Sequence, residues 1–184
     1  MAASPQRLTI RFRPMVLADI PRVHQIDLLS FSMPWSERSY RFEVTENSHS
    51  LLLVAEAIPP GGLAIRPDSP DGTPDGQVDL VGMIVIWVIM DEAHVATIAT
   101  HPDFRGQGIG RRLLARGLLA AYERGARLAY LEVRRSNQVA QKLYEQFGFK
   151  VVGERPRYYQ DNNEDALLMT LESIQLESLK RFVD

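Results

Sequence analysis

The feature that most constrains the fold is the stretch from Thr97 to Arg116, T-I-A-T-H-P-D-F-R-G-Q-G-I-G-R-R-L-L-A-R, in which an apolar strand passes through a glycine-rich turn into a helix. Gly106, Gly108 and Gly110 carry no Cβ, so the backbone can approach a ligand closely, and the first N–H groups of the following helix have no intrahelical acceptors. Those donors and the helix dipole both favour an anion. Arg105, Arg111 and Arg112 add cationic groups suited to phosphate. Ile109, Leu113, Leu114, Gly117, Leu118 and Ala121 share one helix face, and Gly125 is placed to end the helix. Strand, turn and helix must therefore fold as one unit whose turn fits a phosphate-bearing ligand.

Spacing decides among the known phosphate loops. A P-loop ends in Gly-Lys-Ser/Thr, whereas Gly110 is followed by Arg111. A dinucleotide fingerprint needs G-x-G-x-x-G, but counting from Gly106 the last position is Arg111. What remains, Arg105-x-x-Gly108-x-Gly110 after an apolar strand, resembles the pyrophosphate loop of the GCN5-related N-acetyltransferases (GNAT). Six residues alone are equally compatible with glycines that cap an ordinary helix.

At 184 residues and 45% hydrophobic content, the chain can bury one good core, and a single domain over residues 1–184 is expected. A net charge of -2 argues against a general nucleic-acid binder. Without cysteine there is no disulfide, no thiolate metal site and no cysteine nucleophile. His24, His49, His94 and His101 lack metal-ligand spacing, so no metal is assigned. The first residues lack a signal-peptide core, and the longest apolar run, Leu80 to Met90, is shorter than the roughly 20 residues that span a bilayer. A soluble, cytoplasmic protein without a membrane partner is the expectation; oligomeric state is not legible.

In chain order, Leu8 to Arg13 alternates as a half-buried strand. Asp19 is placed to cap a helix with Pro21 in its first turn and an apolar stripe of Ile20, Val23, Ile26, Leu28 and Leu29. Phe31-Ser32-Met33-Pro34-Trp35 breaks that helix, and Ser36 caps a second one to about Glu46. The elbow fits either a core wedge or a substrate mouth. Strands are expected at Leu51 to Ile58 and Val78 to Met90, separated by a Pro/Gly/Asp-rich insertion at residues 59–77, which reads as a mobile excursion. Ala93 to Thr100 is the strand that delivers the glycine loop. After the long helix, whose Arg116 and Arg124 read as solvated charges, Arg127 to Arg134 is a strand. Glu132 shares its face with Leu128 and Tyr130. Asn137 or Ser136 caps a helix carrying Ala140, Leu143, Tyr144 and Phe147, closed by Gly148. Strands from Phe149 and over Glu164 to Leu171 flank the turn at residues 160–163, and a short tail from about Ser173 is expected as an exposed helix.

Leu131-Glu132-Val133-Arg134, Ser136-Asn137, Leu143-Tyr144-Glu145 and Phe147-Gly148-Phe149 follow one another as in the bacterial ribosomal-protein-alanine N-acetyltransferases, the RimI type of GNAT enzyme. Pro34-Trp35-Ser36-Glu37 and Arg157-Tyr158-Tyr159-Gln160 also resemble that family, so the likeness covers most of the chain. The insertion departs from it, as does Gln160, where a proline commonly follows the tyrosines. The resemblance implies an α/β (α+β) fold: a mixed sheet of about seven strands, splayed at the acetyl-CoA site and flanked by about four helices. It implies that backbone groups of Ile98, Ala99 and Thr100 meet pantetheine, while Arg105, Gly106, Gln107, Gly108, Ile109, Gly110 and Arg111 hold the pyrophosphate. Asn137 would touch the cofactor, Glu132 would be the general base and Tyr144 the general acid, with Trp35, Tyr158 and Tyr159 at the acceptor. The implied acceptor is the α-amine of a protein N-terminus, that of a ribosomal protein starting with alanine. A GNAT enzyme acting on lysine or a small amine, and a non-catalytic acyl-CoA-binding module, are the alternatives.

The residue types suit that chemistry. An α-amine, with a pKa of about 7.7 to 8.0, is partly neutral at pH 7, and a carboxylate can take its remaining proton directly or through one water. Partial burial on an apolar strand face would make Glu132 a better base. A buried phenol can donate to the departing thiolate. With no cysteine as acyl carrier, direct attack by the amine is the simpler route. Asp161, Glu164 and Asp165 are placed to attract a basic residue behind the amine. On local grounds alone, Glu132 also fits a solvated strand and Tyr144 a core position.

Overall fold

A computed structural model describes residues 9–58, 64–65, 74–75 and 79–183. Leu8, Val78 and most of the 59–77 insertion lie outside them. The elements are β1 (Thr9–Pro14), α1 (Ile20–Ser30), α2 (Glu37–Thr45), β2 (Ser50–Ile58), β3 (Ala64–Ile65), β4 (Pro74–Asp75), β5 (Asp79–Ile89), β6 (Glu92–Thr100), α3 (Ile109–Glu123), β7 (Leu128–Arg134), α4 (Gln138–Gln146), β8 (Lys150–Tyr159), β9 (Glu164–Leu171) and α5 (Leu176–Lys180). Seven strands form one sheet in the order β1-β2-β5-β6-β7-β9-β8, while β3 and β4 pair separately. In the large sheet the β6–β7 pair is parallel and its neighbours are antiparallel. This is the mixed sheet the resemblance implies.

Two cores sit on opposite faces of the sheet. One holds α1 and α2 against β2, β5 and β6 through Ile20, Val23, Ile26, Tyr40, Met83 and Val85. The other holds α3 against β5 through Ile84, Ile86, Ile109, Leu113, Leu114 and Leu118. Being buried on both faces makes β5 a near-continuous apolar run. Gly82 and Gly117 let α3 approach: a Cβ at Gly117 would lie 2.8 Å from Ile86 Cδ1, and one at Gly82 would lie 3.0 Å from Leu113 Cδ1.

Four local expectations are corrected. Asp19 precedes α1, but its carboxylate does not cap it; it accepts from the Val16 N–H at 2.8 Å and takes two N–H groups of Arg13 at 2.7 and 2.8 Å. A paired guanidinium outcompetes a neutral helix amide. Leu28 and Leu29 are exposed, because the buried arc of α1 runs through Ile20, Val23, Ile26 and Asp27. Arg116 is not a solvated charge, since it is half-buried and donates to the Val183 carbonyl at 2.9 Å; Arg124 is exposed as expected, with one N–H donated to the Ser50 carbonyl at 2.7 Å. The tail is docked, with Ile174 and Leu179 buried and the Phe182 ring 4.6 Å from that of Phe147.

Candidate active site

The parallel ladder between β6 and β7 runs from Glu92↔Leu128 to Val95↔Leu131 and stops. Beyond it, β6 stays paired with β5 as far as Gly82↔Thr100, while β7 stays with β9 as far as Arg134↔Ala166. Each strand follows its other neighbour, so the pair splays. A cleft of about 2120 Å³ opens there, larger than the roughly 300–1,000 Å³ that suffices for a drug-sized ligand. It brings together the β6 end at Ile98, Ala99 and Thr100, the loop from Arg105 to Arg111, and Asn137 and Tyr144 at α4. Glu132, Trp35, Tyr158 and Tyr159 line it too.

The glycine loop has the geometry its composition allows. Gly106 and Gly108 have φ of +77° and +76°, the left-handed region that side chains rarely adopt. A Cβ at Gly106 would meet nothing within 4 Å, so the backbone itself faces open space, and Gly108 is the N-cap residue of α3. Gly110 is not left-handed; a Cβ there would touch Thr100 Oγ1 at 3.4 Å. Arg105 anchors the loop, donating to the Thr100 carbonyl at 3.1 Å and to Ser30 Oγ at 3.3 Å. Arg112 packs its guanidinium 4.8 Å over the Phe12 ring, toward β1. Gly108→Val is expected to weaken CoA binding at least tenfold, since left-handed strain of about 1–2 kcal/mol adds to the lost backbone approach. Calorimetry showing wild-type affinity would remove the loop from the site.

The two proton-transfer candidates occupy opposite faces of β7. Leu131 and Val133 are buried on the α3 side, so Glu132 points the other way. Its side chain is 34% exposed; Oε1 pairs with Arg155 Nη1 at 2.6 Å and Oε2 accepts from the Tyr158 hydroxyl at 3.1 Å. The expected apolar shelter is therefore absent, and a cation and a phenol orient the carboxylate instead. Tyr144 is buried, its ring 5.9 Å from that of Phe149, and burial pushes its phenol well above the usual range. It stays protonated at neutral pH and can donate. Asn137 caps α4, its Oδ1 accepting from the Ala140 N–H at 3.1 Å.

Trp35 stacks on Trp87 at 6.1 Å and packs against Tyr40 at 5.5 Å, so the elbow both wedges the core and walls the cleft. The Trp35 backbone N–H donates at 2.6 Å to Asp27, a buried carboxylate whose pKa burial raises. Asp27 and Arg155 escaped the sequence reading. The first had one legible signal, its place seven residues after Ile20 on the buried arc. Arg155 had none, because only the register shift of β8 against β9 between Val151 and Gly153 puts it on the face of Glu132.

The acids expected to attract a basic residue are already neutralised. Arg134 bonds both oxygens of Asp161 at 2.9 Å and Glu164 at 3.3 Å, and its guanidinium lies 3.9 Å over the Tyr159 ring. Arg135 pairs with Glu154 and Asp165. Burial raises the Tyr159 phenol to about 12. Glu164 is held down to about 2, first by the Ser136 side chain and next by the Ser136 backbone N–H, which donates to it at 2.6 Å. A depressed carboxylate stabilises the fold above its unfolded pKa of about 4.3, and that contribution disappears as pH falls toward 2. Urea midpoints should therefore fall between pH 5 and pH 3, and less steeply in Glu164→Gln; equal acid sensitivity of the two proteins would contradict the assignment.

Residues 20–149 match the Acetyltransferase (GNAT) family. A Bacillus subtilis (strain 168) protein provisionally named a ribosomal protein bS18-alanine N-acetyltransferase is 39% identical over 157 residues, covering 85% of this chain and 91% of that one. The ribosomal protein bS18-alanine N-acetyltransferase of Escherichia coli (strain K12) is 31% identical over 155 residues, covering 83% and 90%. A crystal structure of the Escherichia coli ribosomal-protein-S18-alanine N-acetyltransferase superposes with a TM-score of 0.72 at 28% identity, covering 91% of this chain and 95% of that chain. The splayed sheet, the glycine loop at its edge and these relatives converge: the chain belongs to the GNAT family of acetyl-CoA-dependent N-acetyltransferases.

Proposed function

We propose that this enzyme acetylates the α-amine of a protein N-terminus, that of ribosomal protein bS18 beginning with alanine. The observation that carries the reading is the 39% identity, over 85% of the chain, to the relative named for that reaction. The cleft supports it by holding a carboxylate and a protonated phenol on the two sides of one splay. Lower amine basicity is a further support: at neutral pH the α-amine is easier to deprotonate than lysine by about 2.5 pKa units, or about 3.4 kcal/mol.

The chain fits acetyl-CoA through features of its own. Left-handed glycines leave the loop backbone open, the α3 N-terminus offers amides and a dipole to the pyrophosphate, and the unpaired ends of β6 and β7 offer ladder positions to an amide-bearing arm. When bound, acetyl-CoA supplies an activated acyl thioester. Glu132, held by Arg155, takes the proton from the attacking amine on one face of β7, directly or through one water. A carboxylate has about four lone-pair sites, so two partners do not saturate it. Tyr144 donates to the leaving sulfur from the other face. Tyr158 and Trp35 wall the approach of the acceptor.

The test is a matched peptide pair, one with a free α-amine and blocked lysine, the other with a blocked α-amine and free lysine. Acetylation of the first should be faster at equal concentration. Faster acetylation of the lysine peptide would overturn the N-terminal reading and leave acetyl transfer intact.

A further inference from the structure

Beyond the reacting centre the cleft continues along the open face of the sheet, and that extension has a chemistry of its own. Trp87, His94 and Tyr130 are successive register partners across β5, β6 and β7. The His94 and Tyr130 rings stack at 5.3 Å and line the cleft floor, with Trp87 roofed by Trp35 at one side. Glu92 lies past them, its Oε2 2.7 Å from His94 Nε2. Five other acids of the acceptor side are matched to arginines, Glu132 to Arg155, Asp161 and Glu164 to Arg134, Glu154 and Asp165 to Arg135, and Asp27 is buried and held by the Trp35 backbone N–H. Glu92 has no arginine or lysine partner among the described residues.

The opposite end of the cleft is spanned by a side-chain bridge. Arg134 donates to Ser32 Oγ at 3.0 Å and to Asp161, and Ser32 Oγ itself donates to Asp161. This bridge joins the α1–α2 elbow to the β8–β9 turn across the C-terminal end of β7. A chain whose first residue reaches Glu132 is thereby directed back along β7 toward its N-terminal end, over Tyr130.

We infer that Glu92 and the His94–Tyr130 shelf form a distal acceptor subsite that takes an arginine side chain at about the fourth or fifth residue of the acceptor, counting the acetylated residue as the first. From Glu132 to Leu128, the register partner of Glu92, is four residues, or about 13 Å at roughly 3.3 Å each. An extended acceptor covers that distance in as many residues. A guanidinium stacks on the aromatic faces while pairing with the carboxylate, a combination lysine performs less well. The inference rests on the N-terminal reading proposed above and extends it to the body of the acceptor.

The experiment uses alanine-starting hexapeptides without lysine, carrying arginine or glutamine at position four or five. Acetyl transfer to the α-amine is measured as kcat/KM, and binding of each peptide to the enzyme saturated with CoA is measured by calorimetry. In the wild-type enzyme arginine should raise kcat/KM about tenfold over glutamine at the better position, mainly through KM. Within Glu92→Gln and within Tyr130→Leu the arginine-to-glutamine ratio should collapse toward one; using the ratio cancels any general loss of fold or turnover. Equal ratios in wild type, or a preference that survives Glu92→Gln, would overturn the subsite. If arginine peptides bind with a Glu92-dependent preference but their α-amines are not acetylated, the subsite stands and the N-terminal reading falls. If α-amines are acetylated without regard to arginine, the reading stands and the subsite falls.

Discussion

Replacing Glu132 with glutamine is expected to lower kcat by about 10²- to 10⁴-fold, the usual cost of removing one acid–base group, while CoA affinity measured by calorimetry stays near wild type. Glutamine keeps the shape and can still accept from Tyr158, but it cannot take a proton or hold the Arg155 ion pair. Tyr144→Phe should also lower kcat with little change in the urea midpoint, because the buried ring beside Phe149 is preserved and only the hydroxyl is lost. Turnover must be followed under conditions where chemistry limits the rate. Wild-type turnover in both variants would refute the assignment. Arg155→Gln gives a graded comparison: Glu132 remains but loses its orienting cation, so kcat should fall by less than in Glu132→Gln.

Leu113→Ala is expected to cost about 2–5 kcal/mol of stability, read as a lower urea midpoint with little change in slope. Leu113 is fully buried where α3 crosses β5, against the face that Gly82 keeps open. Substitution there leaves a cavity between helix and sheet that two rigid elements cannot collapse into. Its cost should reach the active site as well, because the glycine loop enters α3 one turn earlier, at Gly108. Weaker CoA binding under conditions where the variant is still folded would show that transmission; a destabilisation below 1 kcal/mol would show that the α3 contact is not a tightly packed one.

Several features were legible because they depend on nearby residues. The Ser36 and Asn137 caps, the left-handed Gly125 and Gly148 after α3 and near the end of α4, and the stripe from Ile109 to Ala121 follow from helix geometry and the absence of a Cβ. The open loop at Gly106 and Gly108 is of the same kind. Other features needed the whole fold. Asp19 was available as a cap until β1 brought Arg13 alongside it, and Leu28 looked like core until the sheet selected another arc of α1. Glu132 was readable as an alternating strand residue, but the register shift that brings Arg155 against it lies in a strand two positions away across the sheet. The sequence by itself determined the strand–loop–helix unit and the residue types available for chemistry, because local backbone preference and periodicity act over a few residues. Only the tertiary structure decided which carboxylates meet a cation and where the ladder between β6 and β7 ends, because both depend on pairing between segments far apart in the chain.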